Sequence, residues 1–210
     1  MKAPSMSNCA TLLLGLALIT PAAGAELGLP KVGALMTWTC DGPFTAEYRV
    51  KVMKIDGDVV TYQGIRDEDS YWTEKFTWLT GTTLWSRKSG SQFQWFDKED
   101  FENYPRLEPG TRFKGAVPAR EGDDKWVWDY VITVDEAQTI QHALLGEVRI
   151  VPVTEKRSIY HGTYWSNMTS FVHPEKGLTV RWIYEDPRGL EDCDLTSIEA
   201  NGQIGIKRTD

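Results

Sequence analysis

The chain carries only 3 cysteines, only 3 histidines and no excess of positive charge. Few Cys and His, at distant positions, leave no pair-and-pair spacing and no H-E-x-x-H with which to hold zinc. Lys and Arg total 23 against 30 Asp and Glu, a net charge of −7. That balance excludes the basic footprint of a nucleic-acid-binding domain. Glycine and proline show no collagen-like period. Long apolar runs are also missing: residues 11–20 (TLLLGLALIT) form a short one, and a spanning helix needs roughly 20 such residues. No segment keeps apolar residues at i, i+3, i+4 and i+7 over three turns, so helix is scarce. G-x-S-x-G, G-x-x-x-x-G-K-[ST] and G-x-G-x-x-G do not occur, which removes the usual nucleophile elbow and phosphate cradles.

The short apolar run has an address to read. Lys2 precedes it, and Pro21-Ala22-Ala23-Gly24-Ala25 follows. This is the order of a secretory signal peptide over residues 1–25, with cleavage expected after Ala25. Cys9 lies before the run, where a lipid-modified cysteine would not stand. The remaining chain is expected to be exported, periplasmic or extracellular, with no integral membrane segment. Cys40 and Cys193 are then the two cysteines left, and an even number in an exported protein reads as a disulfide. Both have acidic neighbours (Asp41, Asp192, Asp194), which disfavour a reactive thiolate.

Strand signals recur along residues 26–210. Tyr48, Val50 and Val52 alternate with Glu47, Arg49 and Lys51, the pattern of a half-buried strand. Asp56-Gly57-Asp58 follows and signals a hairpin. Trp126, Trp128, Tyr130, Ile132 and Val134 alternate with Val127, Asp129, Val131 and Thr133. Residues 44–52 set against 126–134 bring together Phe44 and Trp126, Glu47 and Asp129, Tyr48 and Tyr130, Val50 and Ile132, and Val52 and Val134, and 72–79 resemble 165–172. These matches predict two similar β-units, about 27–96 and 104–186, joined by an acidic linker at 97–109. A further short strand and a polar tail complete a single domain. The expected fold class is all-β with little helix: an antiparallel curved sheet, a half-barrel or a sandwich built from the two units.

The 24 aromatic residues, 9 of them Trp, are the excess that needs an account. Most fit a sheet core. Some could instead line a cleft between the units, and Trp72, Trp78, Trp165 and Phe171 are the candidate ligand-lining residues because they occupy matched positions. His142, His161 and His173 have no ligating spacing. Acidic turns at 67–69 and 121–124 depart from the calcium-loop pattern and read as solvated. No catalytic residue, metal ligand or cofactor is expected. Paired carboxylates for glycan hydrolysis depend on three-dimensional separation and stay open.

Leu107-Glu108-Pro109-Gly110, Gly146-Glu147-Val148-Arg149-Ile150-Val151-Pro152-Val153 and His173-Pro174-Glu175-Lys176-Gly177-Leu178-Thr179-Val180 together resemble a loose class of exported bacterial β-proteins of unknown function. That class is similar in architecture to periplasmic lipoprotein carriers, whose curved sheet wraps an apolar cavity. Val153-Thr154 and His173 depart from its patterns. The resemblance implies an envelope or secreted protein, with an apolar small molecule, a lipid, an envelope component or a protein as partner. The alternatives are a hydrolase acting on a glycan or ester, and a purely structural envelope protein.

Overall fold

Alternation along the chain becomes alternation of burial. In residues 126–134 the odd-numbered Val127 and Asp129 are exposed, whereas Trp128, Tyr130, Ile132 and Val134 are buried. Successive side chains of a strand point to opposite faces, so this segment has a wet face and a covered one. The structure is a computed structural model that describes residues 31–44, 46–56, 59–66, 69–76, 83–88, 91–94, 108–121, 124–159 and 164–201. The expected cleavage point at Ala25, Trp78 and His161 lie outside the described residues.

The described chain forms strands and turns and contains no helix. The strands are β1 (Leu35–Asp41), β2 (Glu47–Asp56), β3 (Val59–Arg66), β4 (Asp69–Phe76), β5 (Thr83–Lys88) and β6 (Ser91–Gln94). They continue with β7 (Arg112–Glu121), β8 (Asp124–Val134), β9 (Gln138–His142) and β10 (Gly146–Ile159). The last three are β11 (Tyr164–His173), β12 (Leu178–Asp186) and β13 (Gly189–Glu199). All belong to one 13-stranded sheet, and every pairing given is antiparallel.

The order of pairing bends the sheet strongly. Neighbours in sequence pair from β1 through β8, β10 then takes β8 on one edge and β11 on the other, and β13 pairs back onto β1. Every strand but β9 lies on that circuit. Its weakest junction is β6–β7, where only Phe93↔Glu121 and Gln94↔Arg120 are paired. The result is a curved sheet rather than a sealed barrel. The expected pairing of β2 with β3 is present, with Asp56 opposite Val59.

The long strand β10 changes partner midway. Its first half pairs with β9 and its second half with β8 and β11. Burial changes phase at the same point: Val148 and Ile150 are buried on one alternation, then Val151, Val153 and Glu155 on the other. Pro152 sits at the change, a place where a residue without an N–H is tolerated. The bend folds the β9–β10 hairpin over the inner face. Val148 and Ile150 join Met36, Val52, Val60, Leu178, Val180 and Leu195 in one apolar cluster. That cluster fills the end of the sheet where β1 begins and β13 ends.

Two β-bulges border this core. Register shifts between Phe171 and Val172 in the β11–β12 pairing, and between Thr37 and Trp38 in the β1–β13 pairing. Bulges release ladder groups, and side chains take over. Trp38 Nε1 donates to the Thr179 carbonyl at 3.2 Å. His142 Nδ1 lies 3.2 and 3.3 Å from the backbone N–H groups of Leu144 and Leu145, so it accepts. That fixes the tautomer in which Nε2–H donates to the Val180 carbonyl at 3.3 Å. The hairpin is thus tied to the bulge by one buried imidazole.

Among the described residues, Glu47, Asp129, Lys156, Glu185 and Asp194 are exposed on the face opposite the core, beside the exposed Val127.

Candidate functional site

At the other end of the sheet, where β1 turns into β2 and β12 into β13, the inner face changes character. Cross-strand register runs Trp128, Ile159, Tyr164 on β8, β10 and β11. One step further in, it runs Tyr130, Arg157, Ser166, and then Ile132, Glu155, Met168, Tyr184, Glu191. The next row is Val134, Val153, Ser170, Trp182, Cys193, Cys40. Tyr48 of β2 lies against Trp182, ring centroids 5.0 Å apart and edge to face. Tyr48, Tyr164, Met168, Trp182 and Tyr184 stay half-buried although their strands are internal to the sheet. Water therefore reaches the inner face at this end.

Aromatic rings meet there at steep angles, the arrangement their quadrupoles favour. Trp128 and Tyr164 lie 5.9 Å apart at 68°, and Phe44 and Tyr184 lie 5.8 Å apart at 76°. Phe44 comes from the β1–β2 connection and carries the Arg188 guanidinium 4.8 Å above its ring. The two connections approach closely because Gly42 has no side chain. At its φ of +152° a Cβ would stand 2.6 Å from the Leu190 carbonyl oxygen.

Three carboxylates are buried among these rings: Glu155 (3% exposed), Asp186 (3%) and Glu191 (1%). A buried charge needs a partner, and each has one. Glu155 pairs with Arg157 on its own strand. Glu191 accepts from the Tyr48 hydroxyl at 3.5 Å. Asp186 is the most fully held. Tyr164 and Tyr184 donate to its Oδ2 at 3.1 and 3.2 Å, the Arg188 N–H donates to Oδ1 at 2.8 Å, and the Arg188 side chain lies 2.6 Å from Oδ2. Those bonds, the Arg188 side chain's first, pull its pKa from 3.8 to about 2. Burial, with the Tyr164 hydroxyl adding to it, pushes the Tyr184 phenol well above its ordinary value.

Cys40 and Cys193 stand opposite each other on β1 and β13, Cα atoms 4.0 Å apart, and form a disulfide. Among the described residues, the grouping of metal-ligand types is Cys40, Glu191 and Cys193. With both sulfurs in a bridge it offers no thiolate to a metal.

Of the four aromatics singled out from the repeat, Trp78 lies outside the described residues, and the strands place the other three as follows. Trp165 lies opposite Ser158 and alternates with buried Ser166, which puts it on the outer face of β11. Phe171 is half-buried at the core margin, with Arg181 5.6 Å over its ring. Trp72 stands in β4 opposite Gln63 and Arg87. The inner-face set is instead Tyr48, Trp128, Tyr164, Trp182 and Tyr184. Counting alternation outward from the Trp126–Val134 strand would have selected the Trp128 face; no signal in the sequence pairs Tyr164 with Asp186.

No family model matches the chain, and no curated protein does. A solved structure, the hypothetical lipoprotein YmcC from Escherichia coli K12, shows a loose likeness of fold: TM-score 0.49, 10% identity, covering 76% of this chain and 82% of that one.

Proposed function

We propose that this is an exported envelope protein that binds a small ligand with an apolar body on the concave face of its sheet, at the aromatic end away from the β9–β10 hairpin. The observation that carries the reading is the half-buried aromatic set Tyr48, Tyr164, Trp182 and Tyr184 on an inward face. Aromatic walls with a few fixed polar groups suit such a ligand. Room for it is expected at that end because the β9–β10 hairpin covers only the other one. The disulfide and the signal-like residues 1–25 support export.

Asp186, its carboxyl held well below the ordinary range by its bonds, is ionised at neutral pH and is not a general acid there. Glu155 is tied to Arg157. The duplication belongs to the same proposal. What supports it is that β2–β5 and β8, β10–β12 follow one another around the sheet in equivalent order. The matched stretches 44–52 and 126–134 enter β2 and β8, and 72–79 and 165–172 enter β4 and β11. Two small units sharing one interior leave a cleft of their joint making.

The test is a titration with 1-aminoanthracene, a neutral apolar fluorophore. Its emission should rise saturably with the native protein, and Trp182→Ala should weaken binding about tenfold, the scale of one lost buried ring. Trp165→Ala, on the outer face, should leave it unchanged. Absence of saturable binding to the native protein would refute the reading.

A further inference from the structure

We propose that the inner wall beside Trp182 is a polar subsite, centred on Ser170, that takes a hydroxyl or carbonyl oxygen of the ligand. The proposal rests on the concave-face reading above and names what that ligand must carry.

Strand β11 presents Ser166, Met168 and Ser170 to the interior in succession. Ser170 is 1% exposed, flanked by Val153 on β10 and Trp182 on β12. Its Oγ has no hydrogen-bond partner among the described residues. Valine or alanine would suit a dry wall of this shape, and a buried hydroxyl without a partner is destabilising. Such an exception in a native interior calls for a partner supplied from elsewhere. Trp182 and Met168, the half-buried neighbours on either side, mark how a ligand group reaches it.

A serine hydroxyl donates and accepts, so an oxygen atom satisfies it and hydrocarbon does not. The ligand class that fits is an apolar chain bearing alcohol, ester or carboxylic oxygen. A plain hydrocarbon chain would leave the Ser170 hydroxyl unsatisfied, and a site built to bond a substrate oxygen rejects the analogue lacking it.

The test displaces bound 1-aminoanthracene with n-octanol and with n-octane, two competitors of equal chain length. In the native protein octanol should compete about tenfold better than octane, the scale of one hydrogen bond made in a buried site. Ser170→Ala should abolish most of that preference without lowering the unfolding midpoint. Equal competition by the two molecules, or a preference that survives Ser170→Ala, overturns the subsite while the binding site stands. A lowered midpoint in Ser170→Ala would also overturn it, because it would make the hydroxyl a structural group. Failure of the fluorophore to bind would bring down both readings.

Discussion

Asp186 shows what one buried residue does at the rim. Its carboxylate gathers two tyrosine hydroxyls, a backbone N–H and a guanidinium from β11, β12 and the turn that follows. Because its folded pKa lies below its ordinary value, the charged form is the one the fold favours. Its contribution is present above pH about 4 and is lost as the pH falls through about 2. Asp186→Asn should therefore lower stability at pH 7 by about 1–3 kcal/mol, and denaturant curves of native and variant should converge as the pH approaches 2. A gap that persists unchanged in acid would contradict this. His142 acts at the opposite end. His142→Ala frees the Val180 carbonyl and the N–H groups of Leu144 and Leu145 inside the core. The expected loss is about 2–4 kcal/mol, read as a shift of the urea midpoint, and hydrogen exchange should quicken first in β9 and the start of β10.

Strands were legible in the chain to very different degrees. β8 could be read almost residue by residue, because it has one face in water and one in the core and so alternates cleanly. The apolar run Val148 to Val153 could not. It is buried through a change of partner, and a strand covered on successive faces loses its period of two. The β9–β10 hairpin, which decides where the core ends and the open face begins, was therefore hidden. Matching the repeats selected Trp165 and Phe171 by similarity of position, but similarity does not say which face of a strand a residue occupies. Tyr184 and Glu191 gave no local signal, since their significance arises only from register. The Cys40–Cys193 pairing was legible from count and context. At this scale it adds a covalent rung between the first strand of the circuit and the last. The loop-closure model assigns such a long connection on the order of 5 kcal/mol. Reduction should lower the denaturant midpoint substantially while the far-ultraviolet signature of antiparallel sheet persists in the absence of denaturant. An unchanged midpoint would show that the ladder alone sets the stability.

The apolar cluster joins Met36, Val52 and Val60 of β1, β2 and β3 to Val148, Ile150, Leu178 and Val180 of β10 and β12. On the proposal that these strands belong to two similar units, neither unit covers its apolar face or its sheet edges alone. Chains 27–96 and 104–186 expressed separately should lack a cooperative unfolding transition, and a half that folds with native-like stability would refute the shared interior. The account's central claim is that the concave aromatic end, not the outer wall, meets the ligand. Indole resonances of protein labelled with ¹⁵N at tryptophan test it directly during titration with 1-aminoanthracene. Trp128 and Trp182 should shift in step with saturation while Trp165 stays in place; a spectrum in which Trp165 moves and Trp182 does not would contradict the claim.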